Sequence, residues 1–89
     1  MSTDGVIRTQ LPNGLTVVMK PLRGVPVASL FVWYRVGSRN ELPGRTGLSH
    51  WVEHMLFKGT EQFPAGEADR LVAREGGYRN AMTYLDWTT

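Results

Sequence analysis

The chain has 89 residues, 42% of them hydrophobic and 20% charged, with no cysteine and a formal net charge of +2. This composition describes a globular chain and excludes a disulfide framework, a thiolate metal site and a cysteine nucleophile, so any metal must be held by histidine and carboxylate. Eight arginines scatter from Arg8 to Arg79 without forming a basic stripe, which argues against a nucleic-acid partner.

The opening MSTDGVIRTQ carries Asp4 and no charged leader before an apolar stretch, so a cytoplasmic location is the default expectation. From Val6 to Leu22 two β-rich stretches flank LPNGL, where Asn13-Gly14 favours positive φ in a tight hairpin turn. Arg23, Gly24 and Pro26 break the pattern. Val27 to Val36 (VASLFVWYRV) is then predicted as a central strand, because its near-continuous apolar character suggests burial on both faces. The longest nearly apolar run, Val25 to Tyr34, is far short of the roughly 20 residues that a membrane helix needs, so no membrane partner is expected. Gly37, Ser38, Asn40, Pro43, Gly44 and Gly47 mark a loop.

Leu48 to Phe57 (LSHWVEHMLF) has the apolar spacing of a short helix, with Leu48, Val52, Met55 and Leu56 on one face. A second helix is predicted from about Ala65 to Glu75, with Ala68, Leu71 and Val72 as a narrow apolar stripe and Gly76-Gly77 as its stop. Asn80 to Thr89 (NAMTYLDWTT) alternates and reads as a strand. The length allows one modest core.

His50 and His54 are the only histidines. On a helix, positions four apart lie about 40° apart around the axis, so both imidazoles can converge on one ion, with zinc the natural fit. Glu53 lies about 60° to one side of His50, within reach of a water on the metal, as a general base would be. A helix apolar around most of its circumference also gives buried titratable groups a reason to share a cation. Spacing alone equally fits two hydrogen-bonded core histidines or an exposed polar face.

His50-x-x-Glu53-His54 is the inverzincin signature, and its flank GLSHWVEHMLFKGT resembles the zinc-binding helix of the pitrilysin, insulysin and mitochondrial processing peptidase family. Leu11-Pro12-Asn13-Gly14-Leu15 resembles that family's opening hairpin. Gly37-Ser38-Arg39 with Glu41 and Gly47-Leu48 resembles the approach to its metal helix. Gly76-Gly77, Asn80-Ala81, Thr83, Asp86 and Thr88 follow its next strand. Ser49 departs mildly, standing where the family commonly has a small apolar residue.

The resemblance implies an α+β fold, an antiparallel or mixed sheet with helices packed on one face. Residues 1–89 would form the amino-terminal part of a single, larger metallopeptidase domain. It implies one zinc ion held by His50 and His54, with Glu53 activating water for hydrolysis of extended peptides. It further implies a third ligand, a glutamate on a later helix outside this chain; Glu61, Glu67, Asp69 and Glu75 read as ordinary surface carboxylates and offer no convincing substitute. Asn80 and Ala81 would contact substrate through β-augmentation, while Asn80 also fits a strand-start residue satisfying its own backbone. Thr83, Asp86 and Thr88 are expected to be structural. A second similar domain or subunit would help enclose the substrate, and the fragment alone is expected to be inactive. The alternatives from other classes are a non-catalytic partner subunit and a small metal-binding structural module.

Overall fold

The computed structural model describes residues 5–89; the first four positions of the opening MSTDGVIRTQ, on which part of the leader argument rests, lie outside the described residues. The architecture is α+β. It begins with antiparallel strands β1 (Ile7–Gln10) and β2 (Thr16–Met19), with Ile7 opposite Met19 and Gln10 opposite Thr16. The predicted hairpin forms, but its turn differs. Leu11 N–H donates to Leu15 O at 2.8 Å and Gly14 N–H to Leu11 O at 2.9 Å, which encloses Pro12, Asn13 and Gly14. Gly14 has a φ of 91°, and among the described residues no non-glycine residue has positive φ. Proline's fixed φ starts a type I turn, and the following glycine closes it as a bulge, so Asn13 never needs the left-handed region. Asn13 instead caps the turn, its Oδ1 accepting from Leu15 N–H at 3.0 Å.

The predicted central strand over Val27–Val36 is not formed. Only Tyr34 is paired, exchanging both main-chain bonds with Thr88 at 2.8 and 3.1 Å. A strand exists by virtue of its ladder partners, and among the described residues only that one partner is supplied. The single predicted strand Asn80–Thr89 is instead folded back on itself. Met82 and Thr89 exchange main-chain bonds at 2.8 and 2.9 Å, Tyr84 N–H donates to Trp87 O at 2.8 Å, and Thr83 faces Thr88. Tyr34, residues 87–89 and residues 82–84 thus lie side by side in a short three-segment array.

The tip of this hairpin docks on the loop before the first helix. Ser38 N–H donates to Tyr84 O at 3.0 Å and Arg39 N–H to Leu85 O at 3.1 Å. A side chain at Gly37 would collide with the Tyr84 and Leu85 carbonyls, which is why this position has none. Thr88, 8% exposed, adds a side-chain bond from Oγ1 to Val36 O at 2.9 Å.

Helix α1 (Leu48–Met55) follows, and α2 (Glu67–Arg74) comes after it. Both are shorter than predicted by residues at their ends. Helix α2 closes as foreseen at Gly76-Gly77. Gly76 N–H reaches Ala73 O at 3.0 Å and Gly77 N–H reaches Val72 O at 3.0 Å, the paired bonds of a Schellman motif that relieve the last carbonyls of the helix. Arg79 ties α2 to the end of α1, pairing with Asp69 at 2.5 Å and lying 4.4 Å above the Phe57 ring.

The expected modest core is absent among the described residues: no hydrophobic side chain is buried. The apolar face predicted for α1 is open, with Leu48 at 49% and Leu56 at 59% exposure. The accessible surface is 8409 Å², against roughly 5,200 Å² for a folded monomer of this mass. The radius of gyration is 16.3 Å, against roughly 12 Å for a compact chain of this length. Phe31, Trp33, Tyr84 and Trp87 stack against one another with centroids 5.0 to 6.2 Å apart, yet Phe31 and Trp33 stay more than half exposed. An apolar surface of this extent is stable only when something covers it.

Candidate metal centre

Helix α1 is placed by a residue that precedes it. Its N-cap, Gly47, offers no side chain; Glu41 substitutes, Oε1 accepting from Gly47 N–H at 3.0 Å and Oε2 from Ser49 N–H at 2.6 Å. The first N–H groups of a helix lack internal acceptors and lie at its positive end, so a carboxylate there satisfies both needs. These bonds, from Ser49 and then Gly47, hold the Glu41 carboxyl below the usual glutamate range. Ser49 further anchors the helix through Oγ to Gly37 O at 3.3 Å.

Because the folded-state value of Glu41 is depressed, its contribution is present above the ordinary glutamate range and is lost as pH falls through the lowered value. In the full-length protein, Glu41→Gln is expected to lower the thermal midpoint at neutral pH. The gap to wild type should close on acidification, because wild-type Glu41 then protonates. A gap independent of pH would remove the carboxylate from this role.

One turn into α1, His50 and His54 converge as the spacing required. Their Nε2 atoms are 2.8 Å apart and their ring centroids 4.5 Å apart, inclined at 71°. Two nitrogens on one tetrahedral zinc stand roughly 3.3 Å apart, so the rings are poised for a shared cation with little movement. Without one, this approach requires one ring to donate to the other. Both histidines are exposed, whereas the apolar helix suggested burial; Glu53 alone is buried, at 9% exposure. One ligand atom from each of His50, Glu53 and His54 lies within 4.8 Å of the others. A pair of convergent imidazoles with an acceptor-only carboxylate is a donor set that suits zinc.

Glu53 Oε2 accepts from Thr83 Oγ1 at 2.5 Å across 30 residues of sequence. Thr83, expected to be structural, therefore touches the candidate base. The contact depends on the 82–89 hairpin folding back against α1, which no local pattern announces. In the sequence Glu41 stands within the approach to the helix; its distinguishing signal is a lone carboxylate before a helix start that lacks a capping side chain.

His50, Glu53, Ala81, Met82, Thr83 and Tyr84 help line an open groove of about 500 Å³. Ala81 thus faces the candidate centre. Asn80 is exposed, and its Oδ1 accepts from Ala81 N–H at 2.9 Å, the local backbone role also foreseen for it. Among the other carboxylates, Glu67 is bonded to Arg70 at 2.7 Å and Asp69 to Arg79; those guanidinium partners hold both carboxyls below their usual ranges. Glu75 sits 3.5 Å from Arg74. No group of three or more candidate ligands other than the α1 trio occurs among the described residues, and no helix there is long and apolar enough to cross a membrane.

The family model described as Insulinase (Peptidase family M16) matches residues 16–89. Zinc protease PqqE of Helicobacter pylori is 48% identical over 79 residues, covering 88% of this chain and 18% of that protein. Mitochondrial-processing peptidase subunit beta of Blastocladiella emersonii is 38% identical over 80 residues, covering 90% of this chain and 17% of that protein. The crystal structure of a protease from Helicobacter pylori superposes with a TM-score of 0.80 at 40% identity, covering 93% of this chain and 20% of that one. The chain spans about a fifth of the length of these relatives. With a family match across most of its residues and the signature trio gathered on one helix, the chain belongs to the insulinase family, peptidase family M16.

Proposed function

We propose that this chain supplies two zinc ligands, His50 and His54, and the general base, Glu53, of a zinc endopeptidase that hydrolyses extended peptides. The observation that carries the proposal is the gathering of the two imidazoles and a buried carboxylate on one turn of α1, in a chain whose relatives include a named zinc protease. When bound, zinc would supply Lewis acidity toward the scissile carbonyl and the attacking water. Glu53 would take the proton of that water and pass it to the leaving amine.

The hairpin supports substrate binding by β-augmentation. Met82 and Tyr84 spend their N–H groups on residues 87–89, so by alternation the Thr83 N–H and C=O and the Ala81 C=O point to the opposite edge. None of these three has a hydrogen-bond partner among the described residues. An extended peptide would add there as a further strand, beside the groove that holds His50 and Glu53. Ala81 would contact substrate through its carbonyl, and Asn80 would fix the Ala81 N–H that starts the edge.

The third ligand would lie outside this chain, on a later part of the same domain, with residues 1–89 as its amino-terminal portion. A second similar domain or subunit would close over the substrate, as the word subunit in the name of the processing-peptidase relative suggests. A cytoplasmic setting is part of the proposal. The open apolar faces of α1 and of residues 27–36 favour this reading over a self-contained metal-binding module. Two convergent histidines and Glu53 favour it over a non-catalytic subunit.

The test compares the full-length protein with the isolated chain. Full-length protein should retain about one zinc per active domain and hydrolyse an unstructured peptide. The isolated 89-residue chain should show neither tight zinc binding by calorimetry nor turnover. Tight, stoichiometric zinc with turnover in the isolated chain would contradict the missing third ligand.

A further inference from the structure

Resting on that peptidase reading, we infer that Thr83 is a positioning residue for Glu53. Its hydroxyl fixes one carboxylate oxygen and thereby aims the other at the reacting water. Glu53 is buried, and the only hydrogen bond of its carboxylate among the described residues runs from Thr83 Oγ1 to Oε2 at 2.5 Å. A buried carboxylate left unbonded would be costly and free to change rotamer. With Oε2 committed, Oε1 is the oxygen left free for the reacting water, and a carboxylate oxygen of Glu53 lies within 4.8 Å of the imidazole ligand atoms.

The hydroxyl is itself held rigidly. Main-chain bonds on both sides of Thr83, at Met82 and Tyr84, pin the hairpin. Thr88 opposite it is buried and bonded to Val36 O, and the hairpin tip is bonded to Ser38 and Arg39 ahead of α1. The residue that touches the base is therefore also the residue whose backbone forms the free edge. A peptide added at that edge would lie on a strand whose own side chain sets the base, so substrate register and base orientation would share one support. A displacement of the order of 1 Å in a reacting group costs about 10²-fold in rate, which sets the scale of the effect.

The experiment uses the full-length zinc-loaded protein with an unstructured peptide. Thr83→Val keeps the β-branched shape and removes the hydroxyl; Thr83→Ser restores it. For Thr83→Val, kcat should fall about 10- to 100-fold, with KM within about twofold and zinc content unchanged. Its crystal structure should have the Glu53 carboxylate rotated or in several conformers. Thr83→Ser should recover kcat to within about threefold of wild type with Glu53 ordered. A purely structural threonine would lower the thermal midpoint without this split of kcat from KM. Wild-type kcat in Thr83→Val, an unmoved Glu53 carboxylate, or a Thr83→Ser protein as slow as Thr83→Val would each overturn the inference. Glu53→Gln run alongside separates the two levels. If that variant keeps wild-type turnover, the reading of Glu53 as the base fails; if it loses turnover as expected while Thr83→Val is fully active, only the positioning role fails.

Discussion

Glu53→Gln in the full-length protein is expected to lose peptide hydrolysis by about 10²- to 10⁴-fold, the range supplied by a positioned general base, with zinc content and KM near those of wild type. The substitution is nearly isosteric, and the amide oxygen can still accept the Thr83 hydroxyl, so the hairpin contact survives. What is lost is the ability to take a proton. Stopped-flow hydrolysis of a quenched peptide, together with metal analysis of the same sample, checks this. Loss of zinc along with activity would make Glu53 a ligand, and retained turnover would remove it from the chemistry.

His50→Ala and His54→Ala are expected to act at the earlier step of metal retention. Either substitution leaves one imidazole on α1, and zinc affinity should fall by more than the roughly 10- to 100-fold that loss of an outer partner costs. Activity should disappear with the metal and return in part at high added zinc. Both side chains are exposed, so truncation opens no core cavity and the thermal midpoint of the zinc-free protein should change little. Equilibrium competition against a chelator gives the affinities. Unchanged affinity in either variant would place the ion elsewhere.

The two helices and the convergence of His50, Glu53 and His54 on one of them are legible in the sequence because they depend on local periodicity. His50 and His54 share a face through the geometry of one turn, and Gly76-Gly77 stop α2 through bonds made within five residues. The features that local pattern does not reveal depend on partners distant in sequence. Val27 to Val36 is apolar enough for a central strand, yet among the described residues only Tyr34 finds a main-chain ladder partner. The stretch Asn80–Thr89 alternates like one strand, but the return at Leu85-Asp86 lets residues 87–89 pair with 82–84 and with Tyr34. At Pro12-Asn13-Gly14 the proline that precedes Asn-Gly decides the turn type, because its fixed φ starts a type I turn. No local pattern announces the role of Thr83: its contact with Glu53 spans 30 residues and exists only once the hairpin has folded back. Asn80 makes the local bond expected of a strand-start residue, its side chain accepting from the neighbouring Ala81 N–H.

The most direct measurement is a crystal structure of the full-length protein with anomalous data collected across the zinc absorption edge. The expected result is one anomalous peak within roughly 2.0 to 2.1 Å of both His50 Nε2 and His54 Nε2, with Glu53 bonded to Thr83 and outside the coordination shell, and the third ligand from a residue beyond Thr89. A peak away from α1, Glu53 as the third ligand, or no zinc at the paired imidazoles would contradict it.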